Sequence, residues 1–203
     1  MSIYALKSRF QALLRPMVRK LYAVGVTANQ VTTAACILSV LIGAWLIRAP
    51  RIWFAILPVW MFLRMALNAV DGMLAREFGQ KSALGAYLNE LTDVISDTAL
   101  YLPFAFVAPF GWQSTGAVIF FAAAGEMTGV VAVMTGASRR YDGPMGKSDR
   151  AFVFSILALW IALTSALSAW AEWLMWAIAL AAAVTIVNRI RGGLLELRRP
   201  KSE

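Results

Sequence analysis

The sequence has almost none of the side chains on which soluble enzymes and zinc proteins depend. It contains no histidine and a single cysteine, Cys36. An internal disulfide bond is therefore excluded, and the usual zinc ligands and the usual neutral-pH base are missing. Only 15% of the 203 residues are charged, whereas about a quarter are charged in a soluble globular domain. These absences exclude a soluble enzyme and a disulfide scaffold.

Apolar residues are what the sequence does have, at 60% of the chain with a mean hydropathy of +0.67. This number of apolar residues is enough for six membrane spans of roughly 20 residues each. Six such spans leave too few residues for a large extramembrane domain. We therefore predict an all-α membrane protein with six transmembrane helices and an N-terminal interfacial amphipathic helix. The predicted spans are 31–47, 52–74, 86–108, 115–137, 151–168 and 171–190.

The predicted chain is one domain, 1–203, with a six-span bundle at 31–192. In residues 1–22 apolar side chains recur every three or four positions between Lys and Arg, which is typical of a helix lying in the membrane interface. Thr27 and Gln30 form a capping-box pattern at the start of the first span.

The basic residues predict the orientation of the bundle. With a cytoplasmic N-terminus and six crossings, 16 of the 19 Lys and Arg residues lie on the cytoplasmic side. Only Arg48 and Arg51 lie outside, and Arg64 lies within a span. This bias predicts a multi-pass protein of the bacterial inner membrane with both termini cytoplasmic. It also explains the net charge of +8 without a nucleic-acid partner.

Polar residues follow helical spacing in two adjacent predicted spans, although such residues are costly in a membrane. The second span carries three on one face, namely Arg64, Asn68 and Asp71. The third span carries a stripe with one member every four residues, namely Gly85, Asn89, Asp93 and Asp97. Two such stripes, joined by a short loop, are expected to face each other away from lipid.

Carboxylate and amide oxygens without His or Cys are ligands for a hard cation such as Mg²⁺, Mn²⁺ or Ca²⁺. Hydrogen bonding between helices is the alternative for Asn68 and Asn89 taken singly. For Asp71, Asn89, Asp93 and Asp97 taken together, a metal or catalytic site is the better interpretation. Glu126, a further acid in a span, either lines this pocket or pairs with Arg64, and we favour the pair.

The polar residues resemble the signature of the CDP-alcohol phosphatidyltransferase family, and the chain as a whole is similar to its YnbA-like branch. The signature has Asp, two residues, Asp-Gly, two residues, Ala-Arg, eight residues, Gly, three residues, Asp, three residues, Asp. The matching positions are Asn68, Asp71, Gly72, Ala75, Arg76, Gly85, Asn89 and Asp93.

The resemblance implies transfer of a phosphatidyl group from a CDP-linked lipid, usually CDP-diacylglycerol, to an alcohol, with release of CMP. It implies Asp93 as the general base and a divalent ion, Mg²⁺ or Mn²⁺, held by Asp71 with Asn68, Asn89 and Asp93. It also implies a CDP and diphosphate site, formed by Asp71, Gly72, Ala75, Arg76 and Gly85. Members of the family are commonly homodimers, and nothing in the sequence decides this for the present chain.

Two positions depart from the signature, since Asn68 and Asn89 stand where the family has aspartate. The four acidic positions then carry about −2 rather than −4, which puts occupancy by two metal ions in doubt. Asp97 extends the stripe by one turn, and we hypothesise that it assists the metal or the base. An interhelical hydrogen bond is the alternative for Asp97.

Basic residues before the fifth span are candidates for binding an anionic acceptor or the lipid diphosphate, with positive-inside charge as the alternative. The candidates are Arg139, Lys147 and Arg150. They favour a phosphorylated acceptor. Two other functions stay open: a catalytically altered homologue that binds CDP-lipid, and a small polytopic transporter.

Overall fold

The computed structural model describes residues 3–198, and the side chains of residues 10–198. In this part of the chain the regular structure is entirely helical. Residues 3–198 form seven α-helices: α1 Ile3–Ala23, α2 Ala28–Leu46, α3 Ile56–Glu77, α4 Ala83–Tyr101, α5 Trp112–Met134, α6 Lys147–Leu163 and α7 Ala171–Leu197. Short 3₁₀ turns, Arg51–Ala55 and Leu102–Phe106, precede α3 and follow α4.

Capping residues fix where two helices of the site begin. The Thr27 hydroxyl accepts a hydrogen bond from the Gln30 N–H, while the Gln30 side chain accepts one from the Thr27 N–H, so the predicted capping box is confirmed. Ser82 accepts from the Gly85 N–H and starts α4 in the same way. Both caps lie at the polar end of the bundle, beside the candidate site.

The sixth helix begins earlier than the sequence pattern predicts. We expected a loop over 138–150, but α6 already begins at Lys147. The Asp149 carboxylate accepts a hydrogen bond of 2.9 Å from the Gly146 N–H, which closes the first turn. Arg150 is therefore a helical residue, and it is 1% exposed. Hydropathy misses this turn because its residues are charged.

Within the part of the chain that the structure describes, four stretches are long and apolar enough to cross a membrane: α2, Arg51–Glu77, α5 and α7. The other two predicted spans correspond to α4 and α6. The first of these carries Glu90, Asp93 and Asp97, and the second has only 17 residues. Composition alone thus supports four of the six predicted crossings.

The bundle has an apolar half and a polar half. Aromatic residues fill the apolar half, where the rings of Tyr101 and Phe154 stack with centroids 3.9 Å apart and Phe104 packs edge-on against Phe154. Close backbone packing joins α2 to α4, because a Cβ on Gly43 would lie 2.0 Å from the Ala99 carbonyl oxygen. The polar half contains the C-terminal end of α3, the N-terminal ends of α4 and α6, and the C-terminal half of α7.

Candidate active site

A cavity of about 420 Å³ opens between the start of α2, the end of α3 and the start of α4. We call it the first cavity. Its wall includes six residues of the predicted set, namely Asp71, Gly72, Ala75, Arg76, Gly85 and Asn89. The structure therefore brings together the residues that the signature assigns to CDP.

The glycines of the signature keep space open in the first cavity. A Cβ on Gly72 would lie 2.8 Å from an Arg76 guanidinium nitrogen. A Cβ on Gly85 would lie 2.9 Å from the side-chain oxygen of Asn29. Both distances are shorter than a van der Waals contact, so a side chain at either position would fill the cavity or push a polar group out of place.

Asp71 is a buried carboxylate that lacks a cationic partner. It is 6% exposed, and its Oδ2 accepts a hydrogen bond of 2.6 Å from the Thr32 hydroxyl. Within residues 10–198, no Lys or Arg nitrogen comes within 4.0 Å of its oxygens. Lys147 and Asp93 lie near enough to act on it electrostatically. A desolvated negative charge of this kind favours a bound cation.

A second cavity, of about 360 Å³, lies beside the first and shares Asn89 with it. The polar groups that line it come from five helices, α3 to α7, and from the segment between α5 and α6. They include Asn68, Asn89, Asp93, Glu126, Arg139, Lys147 and Arg189. Two of the three predicted acceptor residues, Arg139 and Lys147, are in this wall.

Asp93 is surrounded by donors. Its Oδ1 lies 2.6 Å from Lys147 Nζ, 3.3 Å from an Arg64 guanidinium nitrogen and 3.5 Å from the Asn68 amide nitrogen. Asp71 and Asp93 thus differ in charge environment: the first lacks a cationic partner among the described side chains and the second has two. The carboxylate of Asp93 faces the second cavity, whereas that of Asp71 faces the first.

Buried ion pairs join α3, α4, α5 and α6 beneath the second cavity. Asp97 pairs with Arg64 and, at 2.8 Å, with Arg150. Arg150 also lies 3.0 Å from Glu126. We call these four residues the brace. Asp97 and Arg150 line neither of the two cavities, so their contacts lend no support to the predicted metal role of Asp97 or to the predicted acceptor role of Arg150.

Glu126 was expected to pair with Arg64, and that expectation is wrong. Its carboxylate pairs with Arg150, Arg139 and Arg189 instead. Arg64 is held by the two α4 aspartates, Asp93 and Asp97. Arg189 was counted among the cytoplasmic surface charges, but it is 2% exposed and lines the second cavity. Because Arg189 lies inside the predicted span 171–190, the sequence did contain a signal that this residue could be buried.

The segment between α5 and α6 is clamped onto α7. Arg140 binds Asp142 at 2.8 Å and Glu196 at 2.6 Å, and the Met145 N–H donates to the Thr185 hydroxyl. The hydrogen bonds from Arg140 hold the pKa of Asp142 below its usual value. This clamp fixes the segment that carries Arg139 to the start of α6.

The donor set suits one hard divalent cation better than two. Asp71 offers an uncompensated carboxylate in the first cavity, Asn89 offers an amide oxygen where the two cavities meet, and Asn68 and Asp93 offer oxygens in the second cavity. Among the residues that the structure describes, no three His, Cys, Asp or Glu side chains are grouped as metal ligands. The two asparagines account for this shortage of charge, and Lys147 and Arg64 already neutralise Asp93.

Comparisons with known proteins agree with this geometry. The family model for CDP-alcohol phosphatidyltransferase matches residues 25–187. The chain is 45% identical over 199 residues to the inner membrane protein YnbA of Escherichia coli K12, covering 96% of this chain and 98% of that protein. A phosphatidylinositol phosphate synthase of Mycobacteroides abscessus is 27% identical over 113 residues, 56% of this chain and 50% of the synthase.

Solved structures share the fold. The phosphatidylinositol phosphate synthase of Mycobacterium tuberculosis with CDP-DAG bound matches with a TM-score of 0.72 and 23% identity, covering 88% of this chain and 92% of that one. The same synthase in complex with manganese and citrate matches with a TM-score of 0.71 and 22% identity, covering 88% of each chain.

Proposed function

The chain belongs to the CDP-alcohol phosphatidyltransferase family, and from that membership we propose that it transfers the phosphatidyl group of CDP-diacylglycerol to an alcohol and releases CMP. The family membership makes the protein a transferase. The observation that carries the proposal is the pair of adjacent cavities that meet at Asn89. One cavity suits a nucleotide diphosphate and the other suits the incoming alcohol.

The first cavity is the proposed site of the CDP moiety. Gly72, Ala75 and Gly85 leave room for the nucleotide, and Arg76 supplies a guanidinium group for the diphosphate. Asp71, with the oxygens of Asn68, Asn89 and Asp93, would hold the divalent ion, Mg²⁺ or Mn²⁺. When bound, the ion supplies charge neutralisation for the diphosphate. The uncompensated carboxylate of Asp71 supports this assignment.

Asp93 is the proposed general base. Its carboxylate takes the proton of the acceptor hydroxyl, whose oxygen bonds to the phosphorus of the phosphatidyl group. The bond from that phosphorus to the CMP oxygen breaks, and CMP leaves with the electron pair. Lys147 and Arg64 orient the carboxylate through contacts of 2.6 and 3.3 Å. Arg139 and Lys147 are the proposed binding groups for an anionic acceptor, and we assign Arg150 and Asp97 to the brace.

We also propose that all six long helices from α2 to α7 cross the bacterial inner membrane, with both termini cytoplasmic and α1 in the interface. The polar residues of α4 and α6 support this placement, because Asp97 and Arg150 are buried inside the bundle. The outer faces of these two helices are apolar and exposed, as at Leu91, Ile95 and Ile156. A single domain, 1–203, follows from this arrangement.

Release of CMP from CDP-diacylglycerol tests the proposed activity. Purified protein is supplied with Mg²⁺ or Mn²⁺ and a panel of alcohols, and the lipid headgroups are then identified. Asp93→Asn is expected to slow CMP release by about 10²–10⁴-fold, because the general base is lost. Asp71→Asn is expected to weaken Mn²⁺ binding.

Glu77→Gln is the matched control, since Glu77 lies on α3 outside both cavities. It is expected to behave like the wild type. Binding of CDP-diacylglycerol without turnover on any alcohol would contradict the proposal and favour a lipid-binding homologue instead.

A further inference from the structure

The two carboxylate oxygens of Glu126 have different partners. Oε1 lies 3.0 Å from Arg150 and belongs to the brace. Oε2 lies 3.4 Å from Arg139 and 3.4 Å from Arg189, both of which line the second cavity. One oxygen is therefore held firmly, whereas the other is shared loosely between two arginines at the wall of a cavity. A contact of 3.4 Å is long for a charge-assisted hydrogen bond, which usually measures about 2.7–2.9 Å.

The same two arginines keep unused hydrogen-bonding capacity. The Nε atoms of Arg139 and Arg189 are buried and have no hydrogen-bond partner in the described part of the chain. Arg189 is 2% exposed, and besides Glu126 its one hydrogen-bond partner among the described residues is the Gly125 carbonyl oxygen. Buried guanidinium groups with unused donors suit an anion that carries several oxygens.

Glu126 is also needed to balance charge in the absence of a ligand. Arg139 also pairs with Glu90 and Arg150 also pairs with Asp97, whereas Glu126 is the one carboxylate within 4.0 Å of Arg189 among the described side chains. Without Glu126, Arg189 would be a buried charge with no counter-ion, which is strongly unfavourable. The carboxylate of Glu126 removes this cost, but it also occupies the position that an anionic oxygen of a substrate would take.

We propose that Glu126 determines acceptor specificity by acting as a built-in competitor for the acceptor's phosphate. In the ligand-free protein its Oε2 pairs with Arg189 and, together with Glu90, with Arg139. When a phosphorylated alcohol enters the second cavity, its phosphate oxygens bind Arg139 and Arg189 in place of Oε2. Glu126 then stays paired with Arg150 only. A dianionic phosphate displaces the carboxylate more readily than a singly charged group does, so the site selects phosphate monoesters. This inference rests on the proposed function, since it assigns the second cavity to the acceptor.

Binding of inorganic phosphate to the purified protein in detergent tests the proposal, measured by titration calorimetry without any lipid substrate. Glu126→Gln removes the competing charge and keeps the side-chain volume. We expect the Kd for phosphate to fall by about tenfold. The matched control, Glu77→Gln, removes the same charge from α3 at a position outside both cavities, so it is expected to leave the Kd unchanged.

Two results would overturn the inference. If Glu126 only holds the arginines in place, Glu126→Gln weakens phosphate binding. If neither the wild type nor the variant binds phosphate, the second cavity does not select an anion. In both cases CMP release by the wild type, measured separately, still tests whether the protein is a phosphatidyltransferase.

Glu126→Asp gives a second variant in case the glutamine form does not fold. Aspartate keeps the charge but withdraws it from the arginines by one methylene group, and the Kd for phosphate is expected to fall by about threefold. A Kd that is unchanged or higher in this variant would also refute the proposed competition.

Discussion

Asp97→Asn separates a structural role for the fourth carboxylate of the α4 stripe from a role in metal binding. The side chain of Asp97 is 6% exposed, and its partners Arg64 and Arg150 are 7% and 2% exposed. Asparagine keeps the shape of the side chain but leaves two buried guanidinium groups with less negative charge. Breaking a buried pair by removing one partner costs about 3–5 kcal/mol.

We therefore expect Asp97→Asn to lower the free energy of unfolding by about 3 kcal/mol, at the low end of that range because the amide oxygen still accepts a hydrogen bond. In a domain of this size the Tm would fall by about 6–12 °C. The assay is thermal unfolding in detergent, followed by tryptophan fluorescence, combined with equilibrium binding of Mn²⁺. The Mn²⁺ affinity is expected to stay within about twofold of the wild type, because Asp97 faces the brace rather than either cavity.

Asp71→Asn is the paired variant, with the opposite expectation. Asp71 has a hydroxyl partner, Thr32, and no cationic partner within 4.0 Å among the described side chains. Its replacement should leave the Tm nearly unchanged and weaken Mn²⁺ binding by at least about tenfold. The reasoning is refuted if Asp97→Asn retains the wild-type Tm and loses Mn²⁺ affinity.

Three further predictions concern packing, the first cavity and the clamp. Gly43→Ala places a methyl group 2.0 Å from a backbone oxygen of α4, so the yield and Tm of folded protein should fall sharply in size-exclusion and melting assays. Gly85→Ala narrows the first cavity from its rim and should raise the KM for CDP-diacylglycerol more than it lowers kcat in steady-state kinetics. The lowered pKa of Asp142 means that its clamp is fully formed above the unfolded-state pKa of about 3.9 and is lost as the pH falls through the lower folded-state pKa. The protection of the amides of residues 138–146, measured relative to the intrinsic exchange rate at each pH, should therefore fall on acidification.

Each of these predictions has a control or a contrary outcome. Gly116→Ala should be harmless, because a Cβ there meets no atom within 4 Å, and equal damage from both alanine variants would argue against the close-packing explanation. A purely kcat effect of Gly85→Ala would contradict the binding role. Replacing Arg140 with Gln should abolish the acid-induced change in amide exchange, and persistence of the change would point to another titrating group.

Local features of this protein follow directly from its sequence. The capping box at Thr27 depends on four consecutive residues, and the spacing of the signature places Asp71, Gly72 and Arg76 along one stretch of helix. Because helical geometry is regular, such patterns predict which residues share a face. The lining of the first cavity was predicted from the resemblance to the family signature, and the short loop between α3 and α4 brings its two halves together.

Pairings between distant segments were not predictable in this way. Glu126 contacts arginines that are 13, 24 and 63 positions away in the chain. Sequence spacing gives neither the rotation of α5 against α7 nor the turn at Gly146 that brings Arg150 inside. Charge counting placed Arg189 on the cytoplasmic side but could not show that it is buried, because a count of charges carries no information on which side of a helix a residue lies.

The brace has a consequence for how the protein is made. Arg64 and Asp97 belong to the second and third crossings that we propose, whereas Glu126 and Arg150 belong to the fourth and fifth. During synthesis, α3 and α4 enter the bilayer as a matched hairpin, since Arg64 and Asp97 cancel each other. Glu126 follows on α5, and of its three arginine partners Arg139 is made before α6, Arg150 with α6 and Arg189 with α7. The brace is therefore complete only after α6 has been synthesised, so the C-terminal helices are needed to neutralise a buried charge of a helix made before them.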